Sequence, residues 1–283
     1  MASPDGPGHT ATLAAVGRAL HLSTEHERLI EDHLALDLAG PAGAALMAQL
    51  SAQTPPAALE GLSLAFALRA RFVEDLVAEA TDAGVSQYVI LGAGLDTFAY
   101  RRSDLTGRLR VYEVDRPGAR AWKRARLAEL GVAVPAGLVF VPVDFEAGDV
   151  GSELSRGGFD LTATAVVSWI AVSQYLGRGA IDRTLRWAAQ LPAGSRLVLT
   201  YVVPPDQLSE LAQAGLAWTR SQAEARGEPF LSLFHPDEIS AAMREAGFGA
   251  VVQVDDEALR HRYLQGWPDA PLTGIERLAV ATV

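Results

Sequence analysis

Past Gly84 the chain alternates between two patterns. Runs that are apolar almost from end to end occupy residues 88–91, 109–114, 138–143, 163–170 and 196–203. Amphipathic helical stretches lie between them at 118–130, 181–191 and 207–226. A strand that is apolar on both faces has to be covered on both faces. Helices between successive strands supply that cover, so the alternation dictates a parallel sheet in an α/β fold. Pro236 and Asp237 open a further predicted helix over 236–246, and 249–254 and 278–283 read as closing strands.

The first third has a different rhythm. Residues 10–83 look helical throughout. Leu29, Ile30, His33, Leu34, Leu36 and Leu38 predict one mostly apolar helical face. Pro55 and Pro56 mark a break. Leu62, Phe66, Arg69, Phe72, Val73, Leu76 and Val77 then resume helical spacing until Gly84 ends the helix. We read residues 1–83 as a helical cap and 84–283 as the α/β core, with a substrate-capping insertion at about 204–236.

Composition narrows the function. Lys and Arg number 24 against 34 Asp and Glu, a formal charge of -10. Nucleic-acid binders normally carry a basic face, so that partner is not expected. The chain has no cysteine, which excludes disulfides, thiolate metal sites and a cysteine nucleophile. Met1 to Gly8 lacks the charged and apolar regions of a signal peptide. The longest apolar run, 163–172, falls well short of the roughly 20 residues of a membrane-spanning helix. The expectation is a cytoplasmic protein with no membrane partner. His26 and His33 sit near Glu25, Glu27 and Asp32, but without a compact ligand spacing. They read as a solvated, charged helix rather than a metal site. There is neither a G-x-S-x-G elbow nor a phosphate-binding Walker loop.

The first strand runs into "QYVILGAGLDTFAYR", residues 87–101, and the second ends in "VYEVD", residues 111–115. In such sheets ligands lie beyond the carboxyl ends of the strands, at the switch point. Gly92 and Gly94, flanking Ala93, let a ligand approach the backbone. Asp115 and Glu113 are candidates to accept hydrogen bonds from ribose hydroxyls, with Asp115 nearer the strand tip. A dinucleotide fingerprint would place a third glycine where Thr97 stands. Asp96 also sets a carboxylate where a pyrophosphate would need donors. Asp96 is either the N-cap of the following helix or a charge facing a cationic ligand. The second reading favours S-adenosyl-L-methionine, a sulfonium and ammonium with a ribose and no phosphate, over NAD.

Together these segments are recognisable. "VILGAGLDTFAYR" followed by "VYEVDRPGA" resembles the leucine carboxyl methyltransferase-like family, in its bacterial branch with polyketide and other natural-product O-methyltransferases. "RALHLSTEHERLIEDHLALDLAG", "LRARFVEDLV", "VFVPVDFE" and "VVSWIAVSQYL" extend the likeness over most of the chain. The resemblance implies a class I methyltransferase, Rossmann-like sheet of seven strands with the last antiparallel. It implies S-adenosyl-L-methionine as cofactor. Arg69 would clamp the cofactor carboxylate, and Arg18 would assist; Arg71 lies on another side of the helix. Gly92 would line the cofactor and Asp115 would bind the ribose. Asp144 and Phe145 would flank the adenine, and Trp169 would either pack on the cofactor or fill the core. The family often carries a glutamate where this chain has Ile170, and an apolar residue there accepts no hydrogen bond.

Methyl transfer from a sulfonium is an in-line displacement that needs alignment and exclusion of water. A carboxylate acceptor is already ionised, whereas a phenol or alcohol needs a base within hydrogen-bond reach. Tyr175, Tyr201 and His235 are the candidates. His235, in "LFHPDE", also reads as a structural loop residue. Trp218, Phe230, Phe234 and Trp267 suggest an apolar or aromatic small-molecule pocket in the region 204–274. The leading expectation is O-methylation, on carboxyl or hydroxyl, of a small natural-product-like molecule. An NAD-dependent oxidoreductase and a cofactor-binding protein that transfers no methyl are the alternatives.

Overall fold

A computed structural model describes residues 7–283, so the reading of Met1 to Gly8 as no signal peptide lies, up to Gly6, outside the described residues. The N-terminal segment forms α1 (His9–His21), α2 (Ala35–Gln53) and α3 (Pro56–Asp82). Gly40, at φ +64°, and Pro41 kink α2. Pro56 occupies the first turn of α3, where its missing N–H costs nothing. The core continues as β1 (Gln87–Leu91), the short helices α4 (Phe98–Arg101) and α5 (Ser103–Thr106), β2 (Arg110–Asp115), α6 (Pro117–Glu129), β3 (Leu138–Pro142) and α7 (Val150–Arg156). It closes with β4 (Ala165–Trp169), α8 (Arg178–Ala188), β5 (Arg196–Val202), α9 (Glu210–Glu224), α10 (Pro236–Ala246), β6 (Ala250–Val254), α11 (Asp256–Tyr263) and β7 (Glu276–Thr282).

The seven strands form one sheet in the order β3-β2-β1-β4-β5-β7-β6. All pairings are parallel except those of β7, which runs antiparallel to both β5 and β6. The strand order reverses between β1 and β4, which places the switch-point crevice beyond Leu91 and Trp169. Alternation along each strand divides the core in two. Val89, Leu91, Tyr112, Val114 and Trp169 face one way, toward α8 and α10. Tyr88, Ile90, Val111 and Val166 face the other, against Phe72, Val73, Leu76 and Val77 of α3. Burial on both faces is why β1 and β4 are almost wholly apolar, Gln87 and Ser168 apart.

The structure corrects the helix expected around Leu29 to Leu38. Residues 22–34 hold no helix, and α2 begins only at Ala35. Leu29 and Ile30 are buried as predicted, but from an irregular segment packed on Leu64, Ala67 and Leu68 of α3. His21 fixes that segment by accepting the backbone N–H of Leu29 at Nε2, 2.9 Å. Asp32 is fully buried rather than solvated, while His26 stacks on Trp267 with ring centroids 3.7 Å apart. Tertiary contacts override the helical period here. The helices α7 and α11 carried too little apolar periodicity to be read; each is capped by an aspartate, Asp149 and Asp255. Among the described residues no helix is long and apolar enough to cross a membrane.

Candidate active site

The turn after β1 is built by backbone that only glycine adopts cheaply. Gly92 and Gly94 have φ of +69° and +47°. The N–H groups of Gly92 and Ala93 both donate to the Val114 carbonyl of β2, at 2.8 and 3.1 Å. The N–H of Gly94 donates to Asp115 Oδ2 at 2.6 Å, and that of Arg116 to Oδ1 at 2.7 Å. Burial raises the Asp115 carboxyl above its usual range, and these two N–H groups pull it back. An ionised carboxylate has about four acceptor positions, so two remain beyond the tip of β2.

Glu113, the other acid of the strand, turns out to be committed elsewhere. Its Oε2 accepts from Lys123 Nζ of α6 at 2.6 Å, and both side chains are buried. Lys123 also donates to the Asp96 carbonyl at 2.6 Å. Burial pushes Glu113 up to about 7 despite the lysine. This pair underpins the turn from below. Asp96 Oδ1 accepts the N–H of Phe98, the first residue of α4, at 2.7 Å, and Asp96 also lines the crevice; the N-cap expected at Asp96 falls instead on Thr97.

A buried ionic network ties the N-terminal helices to this turn. Arg18 of α1 donates through Nη2 to the Leu95 carbonyl, 2.7 Å, and through Nε to Asp32 Oδ2, 2.8 Å. Thr97 donates to the same oxygen at 2.6 Å. Burial opposes ionisation of Asp32, yet Arg18 and Arg101 hold its carboxyl below the usual range. Arg101 in turn donates to Thr97 Oγ1 and to Glu74 of α3. Thr97 thus fills the place of a third glycine for a positive reason: it joins the turn to Asp32. Asp32, Glu74 and Lys123 had no local signal in the sequence, because their partners lie far along the chain.

The crevice holds a partly open cavity of about 100 Å³ lined by Arg18, Arg69, Glu74, Gly92, Asp96 and Ile170, among others. Charges of both signs face it. Two close contacts pack the glycine turn beside it. A Cβ on Gly92 would lie 2.3 Å from Val172, and one on Gly94 would lie 3.0 Å from Ala11 of α1. Ligand clefts usually enclose at least about 300 Å³, so this cavity is smaller than a whole nucleoside needs. Arg69 is buried on the cavity wall. Its Nε donates to the Ala65 carbonyl at 2.9 Å and Nη1 donates to Glu276 of β7. Burial lowers its guanidinium to about 10, so it stays charged at neutral pH. Arg71 points elsewhere, to Asp75. Ala171, next to Ile170, sits at φ +57° and gives its N–H to Thr200 Oγ1 at 2.6 Å.

Gly94 and Asp115 adjoin this cavity through the turn but are not on its wall, and further residues singled out from the sequence also lie outside it. Asp144 is exposed and turns back to accept the N–H of Glu146. Phe145 and Trp169 are buried on the opposite face of the sheet, tilted against each other with centroids 6.3 Å apart. Tyr201 is wholly buried and donates to Gln253 Oε1 at 2.7 Å. His235 is the N-cap of α10, where Glu238 accepts its backbone N–H. Tyr175 is half-buried beside Phe230, edge-on at 5.2 Å, and burial pushes its hydroxyl up to about 12. Among the described residues no group of three or more His, Cys, Asp or Glu could hold a metal ion.

The family profile of leucine carboxyl methyltransferases matches residues 11–189. A protein of Mycolicibacterium smegmatis named as an S-adenosyl-L-methionine-dependent methyltransferase is 35% identical over 285 aligned positions, 96% of this chain and 91% of the relative. A similarly named protein of Mycobacterium sp. strain JLS is 36% identical over 231 positions, 76% of this chain and 73% of the relative. Among solved structures, a DUF574 family protein from Streptomyces avermitilis superposes with a TM-score of 0.61 at 18% identity, over 98% of this chain and 97% of that one. That last likeness is one of fold.

Proposed function

The chain belongs to the leucine carboxyl methyltransferase family, and from that premise we propose that it methylates an oxygen, preferentially a carboxylate oxygen, of a small natural-product-like molecule. Membership makes it an S-adenosyl-L-methionine-dependent methyltransferase; the acceptor is the proposed part. The cofactor, when bound, supplies an electrophilic methyl group on a sulfonium. The residues fit such a ligand. Asp115 keeps two free acceptor positions for ribose hydroxyls. Gly92 lines the cavity through its backbone, and a side chain there would collide with Val172. Arg69 places a buried guanidinium on the cavity wall for a carboxylate. Asp96 sets a negative charge near a cationic ligand and would repel a pyrophosphate, which disfavours NAD.

One observation supports a carboxylate acceptor. No histidine lines the cavity among the described residues, its carboxylates Glu74 and Asp96 are engaged by Arg101 and by the N–H of Phe98, and the tyrosines are held protonated by burial, Tyr175 and Tyr201 each pushed up to about 12. A hydroxyl acceptor needs a base; a carboxylate does not. Tyr175 then acts as a hydrogen-bond donor that orients the acceptor, and Phe230 beside it supplies an apolar wall. The test is incubation with methyl-labelled cofactor and a panel of aliphatic and aromatic carboxylic acids and matched phenols. A methyl ester releases labelled methanol in mild base; an ether does not. Base-stable label on phenols alone would overturn the carboxylate reading, and no label transfer to any acceptor would favour a protein that only binds the cofactor.

A further inference from the structure

Glu276 is the first residue of β7, paired with Val202 at the carboxyl end of β5. Its Oε2 accepts from Arg69 Nη1, across 207 residues of sequence. Its other oxygen, Oε1, is buried with no hydrogen-bond partner among the described residues. The side chains of Arg69 and Glu276 are only 9% and 15% exposed. Two charges withdrawn from water in this way rarely gain stability over an apolar pair, and an unpartnered carboxylate oxygen adds a further cost. The fold has an obvious cheaper solution at such a wall, so the pair calls for a role beyond holding β7 to α3.

The guanidinium supplies the link. Nε and Nη1 are engaged by Ala65 and Glu276, which fixes the plane of the group; Arg69 also lies over the Phe66 ring at 4.6 Å. Nη2 makes no hydrogen bond among the described residues, and Arg69 is on the cavity wall. We propose that Glu276 is a positioning residue: it holds Arg69 so that Nη2 meets the amino-acid end of the cofactor, and it makes the pair a neutral, two-sign receptor selective for a zwitterion. A lone guanidinium would hold any carboxylate. Beside Glu276, a plain anion gains from Arg69 and loses to Glu276, whereas an α-amino acid gains from both. The unpartnered Oε1 is then the oxygen that an ammonium satisfies.

The inference rests on the cofactor reading above, and calorimetry separates the two. The probes are S-adenosylhomocysteine, which carries the amino-acid end, and 5′-methylthioadenosine, which lacks it. Glu276→Gln keeps the size and removes the charge. S-adenosylhomocysteine should bind at least about tenfold more weakly, and methylthioadenosine should change by less than about twofold. Because methylthioadenosine uses Asp115 and the glycine turn, its unchanged affinity also certifies the fold. Glu276→Asp restores the charge at shorter reach and should fall between wild type and Glu276→Gln. Equal weakening of both probes, no change in either, or tighter S-adenosylhomocysteine binding in Glu276→Gln would each overturn the proposal. If Glu276→Gln does not fold, Glu276→Asp decides: selective loss for S-adenosylhomocysteine supports it, and parallel loss refutes it. A wild-type protein that binds neither probe would instead overturn the cofactor reading.

Discussion

Asp115 accepts the N–H of Gly94 at 2.6 Å, so the acid at the tip of the second strand and the turn after the first are one hydrogen-bonded unit. The sheet brings them together: Leu91 and Val114 are register partners, and each turn begins one residue later. The carboxylate therefore does two jobs, shaping the turn and offering acceptors beyond it.

Asp115→Asn separates those jobs. The amide oxygen can still take the Gly94 N–H, but the amide nitrogen meets the N–H of Arg116, donor against donor. Stability should fall by about 1–2 kcal/mol, read by urea melts. The ribose loses a charged acceptor, worth about 1.5–3 kcal/mol, so S-adenosylhomocysteine should bind roughly ten to a hundred times more weakly. Unchanged affinity by calorimetry would remove Asp115 from the site.

At Gly92 two costs fall on one substitution. Alanine there must adopt φ +69°, and its Cβ would sit 2.3 Å from Val172 Cγ2 at a buried wall. Left-handed strain and overpacking together should destabilise Gly92→Ala by about 2–4 kcal/mol. Gly84→Ala is the control, because φ is also positive there and nothing lies within 4 Å of the added Cβ. It should lose only about 1–2 kcal/mol. Thermal melts of the two variants give the comparison; equal losses would show that Val172 yields.

The strands were legible because each is buried on both faces, and burial writes itself as an unbroken apolar run. The turn was legible because glycine at positive φ and an acid at the next strand tip are local signals. Glu276 and Asp32 were not. Their partners, Arg69 and Arg18, lie on other elements, and nothing near an isolated acid announces a distant guanidinium. Residues 22–34 misled for a related reason. Ile30 and Leu34 keep helical spacing, while the fold is decided by His21, Arg18 and α3. Trp169 ends β4, but strand alternation turns it to the face away from the cavity, and Phe145, in the turn past β3, packs on that same face. That alternation depends on register, which one residue reverses.

His21 makes the hold on residues 22–34 acid-sensitive. It accepts the Leu29 N–H through Nε2, which only the neutral ring can do, and it is buried. Burial, with Arg28 nearby, lowers it from 6.5 to about 4. The unfolded chain then binds the proton more readily than the folded one between these values. The contribution is full above about pH 6.5 and is lost as pH falls toward 4, by up to about 3 kcal/mol. Urea melts from pH 7.5 to 4.5 should show His21→Gln, which keeps an acceptor but cannot titrate, losing less stability than wild type over that window. Parallel pH curves for the two proteins would rule out His21 as the titrating group.

The two tyrosines divide structure from function. Tyr201 donates its hydroxyl to Gln253 in the core, so Tyr201→Phe strands a buried acceptor and should cost about 1–2 kcal/mol of stability. It lies on the sheet face away from the cavity, with kcat and KM expected to stay at wild-type values. Tyr175 is half-buried against Phe230, on the turn that follows β4. If its hydroxyl orients the acceptor, Tyr175→Phe should leave the melting temperature and S-adenosylhomocysteine affinity nearly unchanged. It should lower kcat/KM for the acceptor roughly ten- to a hundredfold, the worth of one positioned donor. The hydroxyl is protonated below about pH 12, so the wild-type rate should show no tyrosine ionisation between pH 6 and pH 9. Steady-state kinetics of both variants with one active acceptor decides the matter: a rate loss in Tyr201→Phe with none in Tyr175→Phe would invert the assignment.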